Sequence, residues 1–365
     1  MPIPANKLIS RSNALGFFRL LFAFLVIVSH TPELLDGDRH REILTCLFGT
    51  LSFGEVAVDG FFLISGFLIV HSYTVCINLR EFVLKRIGRI YPGYLVALLL
   101  SYVFVAPLGG ANIEFLFKNL PQYVIRMLVL RSNVNLNVFA GSHYPLLNGA
   151  IWTIPYELAC YILVIVLGGL GVYRRKSYFV ITLAISMLLF LISSGAFQPY
   201  LVLTSGISKS IIFFLTPFFR LSLMFMIGGL FYIFRETINY HKCKALLAAM
   251  LLLFFMLYSN FAELAFGIFG GYLIFGFAFF WSSPLIRSIN RETDISFGVY
   301  LYGWPITKVL IFIIPDSGPL IINILSLALA AFFGLVSWNF IEKPAQAIFR
   351  RAAHGQNLFL TDQVK

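Results

Sequence analysis

Apolar runs of about 20 residues recur along nearly the whole chain, separated by short polar and basic stretches. Each is long enough to cross a hydrocarbon core of roughly 30 Å as a helix. The pattern predicts ten spans, near 14–32, 46–71, 90–108, 150–170, 178–195, 211–234, 245–259, 262–281, 295–314 and 318–340. The expected fold is all-α, a polytopic transmembrane helical bundle. Pro315-Asp316-Ser317-Gly318-Pro319 is a turn signal that separates the last two spans. Pro217 and Arg220 predict that the span near 211–234 is kinked and faces protein rather than lipid. Residues 114–131 place Phe115, Leu116, Leu120, Tyr123, Val124, Met127 and Leu128 at helical spacing, interrupted by Lys118, Pro121 and Arg126. That reads as an interfacial or re-entrant helix. The first run follows Lys7 and Arg11, as in a signal peptide, yet it contains Arg19 and His30 and lacks a small-residue cleavage site. It is read as a retained first span. No repeat period or internal duplication is visible.

Composition sharpens this picture. Of the 365 residues 59% are hydrophobic and 12% charged, with 40 Phe and a mean hydropathy of +0.87. Such a balance excludes a soluble globular enzyme, a disordered chain and a secreted disulfide scaffold. Cys46, Cys76, Cys160 and Cys243 are far apart, with no metal-ligand spacing, so neither a zinc site nor a disulfide is expected. The net charge of +11 invites a nucleic-acid reading, but on a membrane protein basic residues usually set topology. Most of them fall on one side if the N-terminus is cytoplasmic. The inner segments then hold Lys7, Arg11 and Arg19; Arg80, Lys85, Arg86 and Arg89; Arg174 to Lys176; Arg235, Lys242 and Lys244; Arg287 and Arg291; and Lys343, Arg350, Arg351 and Lys365. Ten spans return the C-terminus to the cytoplasm. The longest outer segment, about 107–149, includes a polar stretch from Ser132 to Asn137 and Gly141-Ser142-His143. It is either a platform for a hydrophilic acceptor or a plain connector.

Ionisable groups at membrane depth are costly and usually functional or paired. Arg19 and His30 are eleven residues apart, which returns to within about 20° of one helix face and separates them by about 16 Å along the axis. Both are expected to look into one groove, Arg19 near the inner leaflet and His30 toward the outer side. A neutral imidazole there is a ready general base. Asp59 needs a cation, and Arg19 or His30 is the natural candidate. Ser65 and Gly66, on the same span, permit close helix packing. Lys85, Arg86 and Arg89 fit either a positive-inside anchor or a site for nucleotide phosphates, whose oxygens match guanidinium forks. Glu157 lies about two turns into its span, with Trp152 as an interfacial anchor. Glu263, Asp294 and Glu342 sit nearer span ends and read as loop or cap residues.

Together these residues resemble the acyltransferase 3 family of integral membrane acyltransferases, in family order from about residue 13 to 345. The matches are Arg-x10-His at Arg19 and His30; Asp-x-Phe-Phe-x-x-Ser-Gly at Asp59, Phe61, Phe62, Ser65 and Gly66; Arg-x-x-Arg-x-x-Pro at Arg86, Arg89 and Pro92; and Trp-x-x-x-x-Glu at Trp152 and Glu157. The segments Ser296 to Tyr302 and Ile341 to Pro344 also fit. One position departs: where the family commonly has His before Trp-Pro, this chain has Gly303 before Trp304-Pro305. The resemblance implies a membrane domain over 1–345 and a short cytoplasmic tail over 346–365, without the soluble domain some relatives carry. It further implies transfer of an acyl group, most often acetyl, from cytoplasmic acyl-CoA to a sugar hydroxyl of a surface glycan such as an O-antigen, exopolysaccharide or lipo-oligosaccharide. On that reading the protein sits in a bacterial inner membrane, needs no metal and binds no nucleic acid. His30, Arg19, Glu157 and Asp59 are the expected catalytic group, Lys85, Arg86 and Arg89 the donor-binding group, and Trp152, Tyr300 and Trp304 the substrate contacts. The competing class is a transporter or flippase relaying protons through His30, Asp59 and Glu157.

Overall fold

The computed structural model describes residues 2–3, 12–130, 136, 138–193 and 209–353. Lys7, Arg11 and Lys365 of the charge pattern, most of the 132–137 stretch, and residues 354–365 of the expected tail lie outside the described residues. Regular structure among the described residues is helical throughout. In chain order the principal helices are α1 (Leu15–Asp36), α2 (Phe53–Val75), α3 (Leu79–Leu108), α4 (Ile113–Leu128), α5 (Ala150–Gly169), α6 (Lys176–Ser193), α7 (Lys209–Ile233), α8 (Lys242–Met256), α9 (Phe261–Trp281), α10 (Ser296–Ile313) and α11 (Pro319–Ala353). Among the described residues the ten expected spans fall on helical segments, and eight helices are long and apolar enough to cross a membrane. The shorter α6 and α8 occupy the other two positions, and α4 covers the segment expected to be interfacial or re-entrant. α4 buries Leu116, Tyr123 and Met127 and exposes Phe117, Ile125 and Leu128.

The three largest boundary differences from expectation each have a local reason. α2 begins at Phe53 rather than near 46, because Gly49 in the left-handed region closes a short helix (Ile43–Phe48) and Ser52 with Glu55 forms a capping box. α3 begins at Leu79 rather than near 90. Asn78 caps it, and its charged first turns lower the hydropathy without breaking the helix. α11 does not end near 340. One turn of π-helix, Trp338–Glu342, carries it on to Ala353, so the expected boundary at 345 lies inside a continuous helix. Phe349 of this extension packs on Gly88 of α3.

The centre of the bundle is the contact of α2 with α7, flanked by α1, which also packs on α10. A Cβ on Gly66 would collide with the Phe225 carbonyl oxygen, and one on Gly228 with that of Leu63. Glycine is required at both positions because the two backbones touch. Gly66→Val should cost more than about 3 kcal/mol, the upper end for overpacking, since backbone cannot step aside as a side chain does. Size-exclusion chromatography in detergent should show the monodisperse species lost.

Candidate active site

The inner end of the site is built on a shared carboxylate. Arg19, about one turn into α1, places Nη1 2.5 Å from Asp294 Oδ2, and Arg89 of α3 donates from Nη2 to the same oxygen at 2.9 Å. Asp294 Oδ1 accepts from Ser296 Oγ at 2.6 Å and Asn290 Nδ2 at 3.0 Å. Asn290, at a φ of 56° that asparagine tolerates better than most residues, also donates to the Gly16 carbonyl and accepts from the Ile295 N–H. The turn before α10 is thereby tied to the start of α1. Burial alone would push the Asp294 carboxyl up. The guanidiniums of Arg19 and Arg89, helped by Ser296 and Asn290, outweigh it and hold the group below the usual carboxylate range. Glu342, turned inward by the π-helical segment of α11, lies 3.9 Å from Arg89 and accepts from Ser337 Oγ. Asp294 and Glu342 are therefore ion-pair partners rather than loop or cap residues.

Arg19 and Arg89 face a cavity of about 50 Å³ whose other polar lining is Ser65, Thr153, Glu157, Ser296 and Tyr300. Its volume holds only on the order of one or two waters. Tyr161 donates to Glu157 Oε1. Tyr300 donates to the Ala150 carbonyl and its hydroxyl lies 2.6 Å from Thr153 Oγ1, which pins the start of α5 against α10. One turn before Arg89, Arg86 sits over the rings of Phe82 and Tyr161 and reaches Ser72 Oγ at 3.4 Å. Its Nε is buried without a hydrogen-bond partner among the described residues. Lys85 instead pairs with Glu81 on its own helix.

His30 stands at the other end of α1. Its Nδ1 is 3.2 Å from Glu33 Oε2, and its ring meets Trp304 edge to face at 5.0 Å. Trp304 Nε1 donates to the Leu146 carbonyl at 3.3 Å. His30 does not line the cavity that Arg19, Phe61 and Tyr300 line. Ile27 fills the space beside Gly303, where a Cβ would approach it to 2.6 Å. Any side chain at 303 would require Ile27 to move aside. Trp152 is exposed and packs on Tyr156, outside the cavity.

The partner expected for Asp59 is corrected. Neither Arg19 nor His30 reaches it. Asp59 is fully buried and accepts from Arg220 Nη2 of α7 at 3.0 Å, and Glu263 at 3.0 Å and Glu55 at 4.0 Å surround the same guanidinium. Helix order in the chain does not say which spans touch, and α7 rather than α1 presents its cation to Asp59. Arg220 carried a signal in the sequence, a charge inside a span, and Glu263 carried none beyond being acidic.

Residues 12–341 match the acyltransferase domain that defines the acyltransferase 3 family. A protein of Shigella phage Sf6 named O-acetyl transferase is 26% identical over 341 residues, covering 91% of this chain and 96% of the relative. Nodulation protein 10 of Rhizobium leguminosarum bv. viciae is 26% identical over 394 residues, covering 94% of this chain and 96% of the relative. No solved structure matches the chain. The chain belongs to the acyltransferase 3 family and, with its apolar helices, is a multi-pass membrane acyltransferase that transfers groups other than amino-acyl groups.

Proposed function

We propose that the protein is an O-acetyltransferase of a bacterial inner membrane, with both termini cytoplasmic, that moves acetyl from cytoplasmic acetyl-CoA to a sugar hydroxyl of a surface or secreted glycan. The observation that carries this reading is the layout along α1. Two guanidiniums line a cavity at one end, and an imidazole braced by a carboxylate stands about 16 Å away at the other. Arg86, whose buried Nε is unsatisfied, offers a fork for the donor's phosphates at the inner mouth. Arg89 adds charge farther in, and Lys85, paired with Glu81, contributes to the field there. His30 stands outside the cavity that Arg19, Glu157 and Tyr300 line, so the pantetheine arm reaches it only if the helices part between them when the donor binds. Trp304 gives the acceptor sugar a flat apolar surface beside the imidazole, and Trp152 sits at the membrane boundary. His30 takes the proton of the acceptor hydroxyl as its oxygen attacks the thioester carbonyl; the carbon–sulfur bond breaks and CoA leaves as the thiolate. Asp59, consumed by Arg220, holds α2 to α7 on this reading and takes no part in the chemistry. The name of the phage relative supports acetyl as the group and oxygen as the acceptor atom.

Labelled acetyl-CoA given to purified protein in detergent with glycolipid from the producing cell should label the glycan. Label that stays on the donor in detergent, yet moves between compartments in vesicles, would return the protein to the carrier class.

Arg86→Lys is expected to raise the KM for acetyl-CoA about 10-fold with kcat changed less than about 3-fold, since lysine keeps the charge and loses the fork. Steady-state kinetics with acetyl-CoA as the varied substrate checks this, and an unchanged KM would make Arg86 a topological anchor.

A further inference from the structure

Glu33 carries no part of the family pattern described above, yet it is the residue His30 leans on. It lies three residues beyond His30 on α1, on the same face, with its side chain 9% exposed. One oxygen meets His30 Nδ1 at 3.2 Å and the other lies 3.6 Å from Arg39 Nε, in the turn that follows α1. Tyr144, from the loop before α5, hydrogen-bonds to the same carboxylate, and this contact pushes the phenol up from its ordinary value. Tyr144 also packs edge-on against Trp304. Besides the imidazole, the carboxylate thus has partners on two separate loops.

An ionised carboxylate only accepts hydrogen bonds, so the ring nitrogen facing it must carry the proton. Nδ1 is then the donor, and the lone pair falls on Nε2. We infer that Glu33 is a positioning residue for the transfer reaction, fixing His30 in the tautomer and ring orientation that expose Nε2 to the acceptor hydroxyl, with Arg39 and Tyr144 holding Glu33 in place. This rests on the reading of His30 as the base. In the step itself Nε2 receives the hydroxyl proton, and the resulting imidazolium, flanked by a fixed negative charge, returns it to the departing thiolate or to water. Glu33 stays ionised throughout and forms no bond to either substrate.

The test uses full-length protein in detergent, labelled acetyl-CoA, and glycolipid extracted from the producing cell. Glu33→Gln keeps the size of the side chain but offers an amide that can donate to Nδ1 and so favour the wrong tautomer. It should lower kcat about 100-fold with KM for acetyl-CoA within about 2-fold of wild type. Glu33→Asp keeps an acceptor-only charge and should regain a large part of that loss. A residue that merely packed the mouth would lose activity alike in both variants, or through KM, and either result would overturn the inference. So would wild-type kcat in Glu33→Gln beside an inactive His30→Ala, which leaves the base reading standing. Turnover in His30→Ala would remove both.

Discussion

Alanine at His30 is expected to leave a folded, inserted protein whose transfer rate is down by about 10³-fold or more, within the range a lost general base produces. The fold should survive because, among the described residues, His30 makes no hydrogen bond or ion pair to another helix. Its polar contact is Glu33 on its own helix, and its contact with α10 is the ring of Trp304. Removing an imidazole from α1 also makes that span more apolar, which favours insertion. Transfer of label measures the loss, and the elution profile in detergent shows whether the bundle is intact. Near-normal turnover would sink the assignment of His30. Incubation with acetyl-CoA in the absence of acceptor separates two roles for the same residue. An acetyl group trapped on the His30 peptide would make it a covalent carrier, whereas an unmodified peptide leaves it a base.

The helical bundle was legible because apolar runs of span length leave a chain few alternatives in lipid. The boundaries were less so, since hydropathy reads charge and not burial. The first turns of α3 carry Arg80, Glu81, Lys85, Arg86 and Arg89, and they look like loop. Yet Lys85 is neutralised by Glu81 one turn away and Arg89 by Asp294, so the helix can extend through them. Candidate cations were visible individually, as charges where lipid should be. Their partners were not. Arg19 and Asp294 are 275 positions apart, and nothing local distinguishes Asp294 from an ordinary residue of a turn. Glu342 is aimed at Arg89 by a π-helical turn that has no sequence signature in this chain. Glu33 was hidden for a simpler reason: the expected span stopped at 32, one residue short, whereas α1 runs to Asp36.

Loss of Arg220 is expected to be the most damaging change outside the reaction path. Asp59, Glu263 and Glu55 converge on its guanidinium from α2 and α9. Deleting the one cation leaves carboxylates crowded at membrane depth, and breaking a buried pair in this direction costs about 3–5 kcal/mol. Arg220→Met should therefore yield little monodisperse protein. Asp59→Asn should be milder, because Arg220 keeps Glu263 and the amide can still accept from it. The two replacements made together, Asp59→Leu with Arg220→Met, should recover part of the yield lost by Arg220→Met alone, as apolar groups of similar size need no counter-charge. Thermal midpoints in detergent measure the stabilities, and kcat per folded molecule measures chemistry separately. A structural Asp59 lowers the midpoint and leaves kcat per folded molecule within about 3-fold of wild type, whereas a catalytic one shows the reverse. An Asp59→Asn protein with a wild-type midpoint and no turnover would move Asp59 from the scaffold to the reaction.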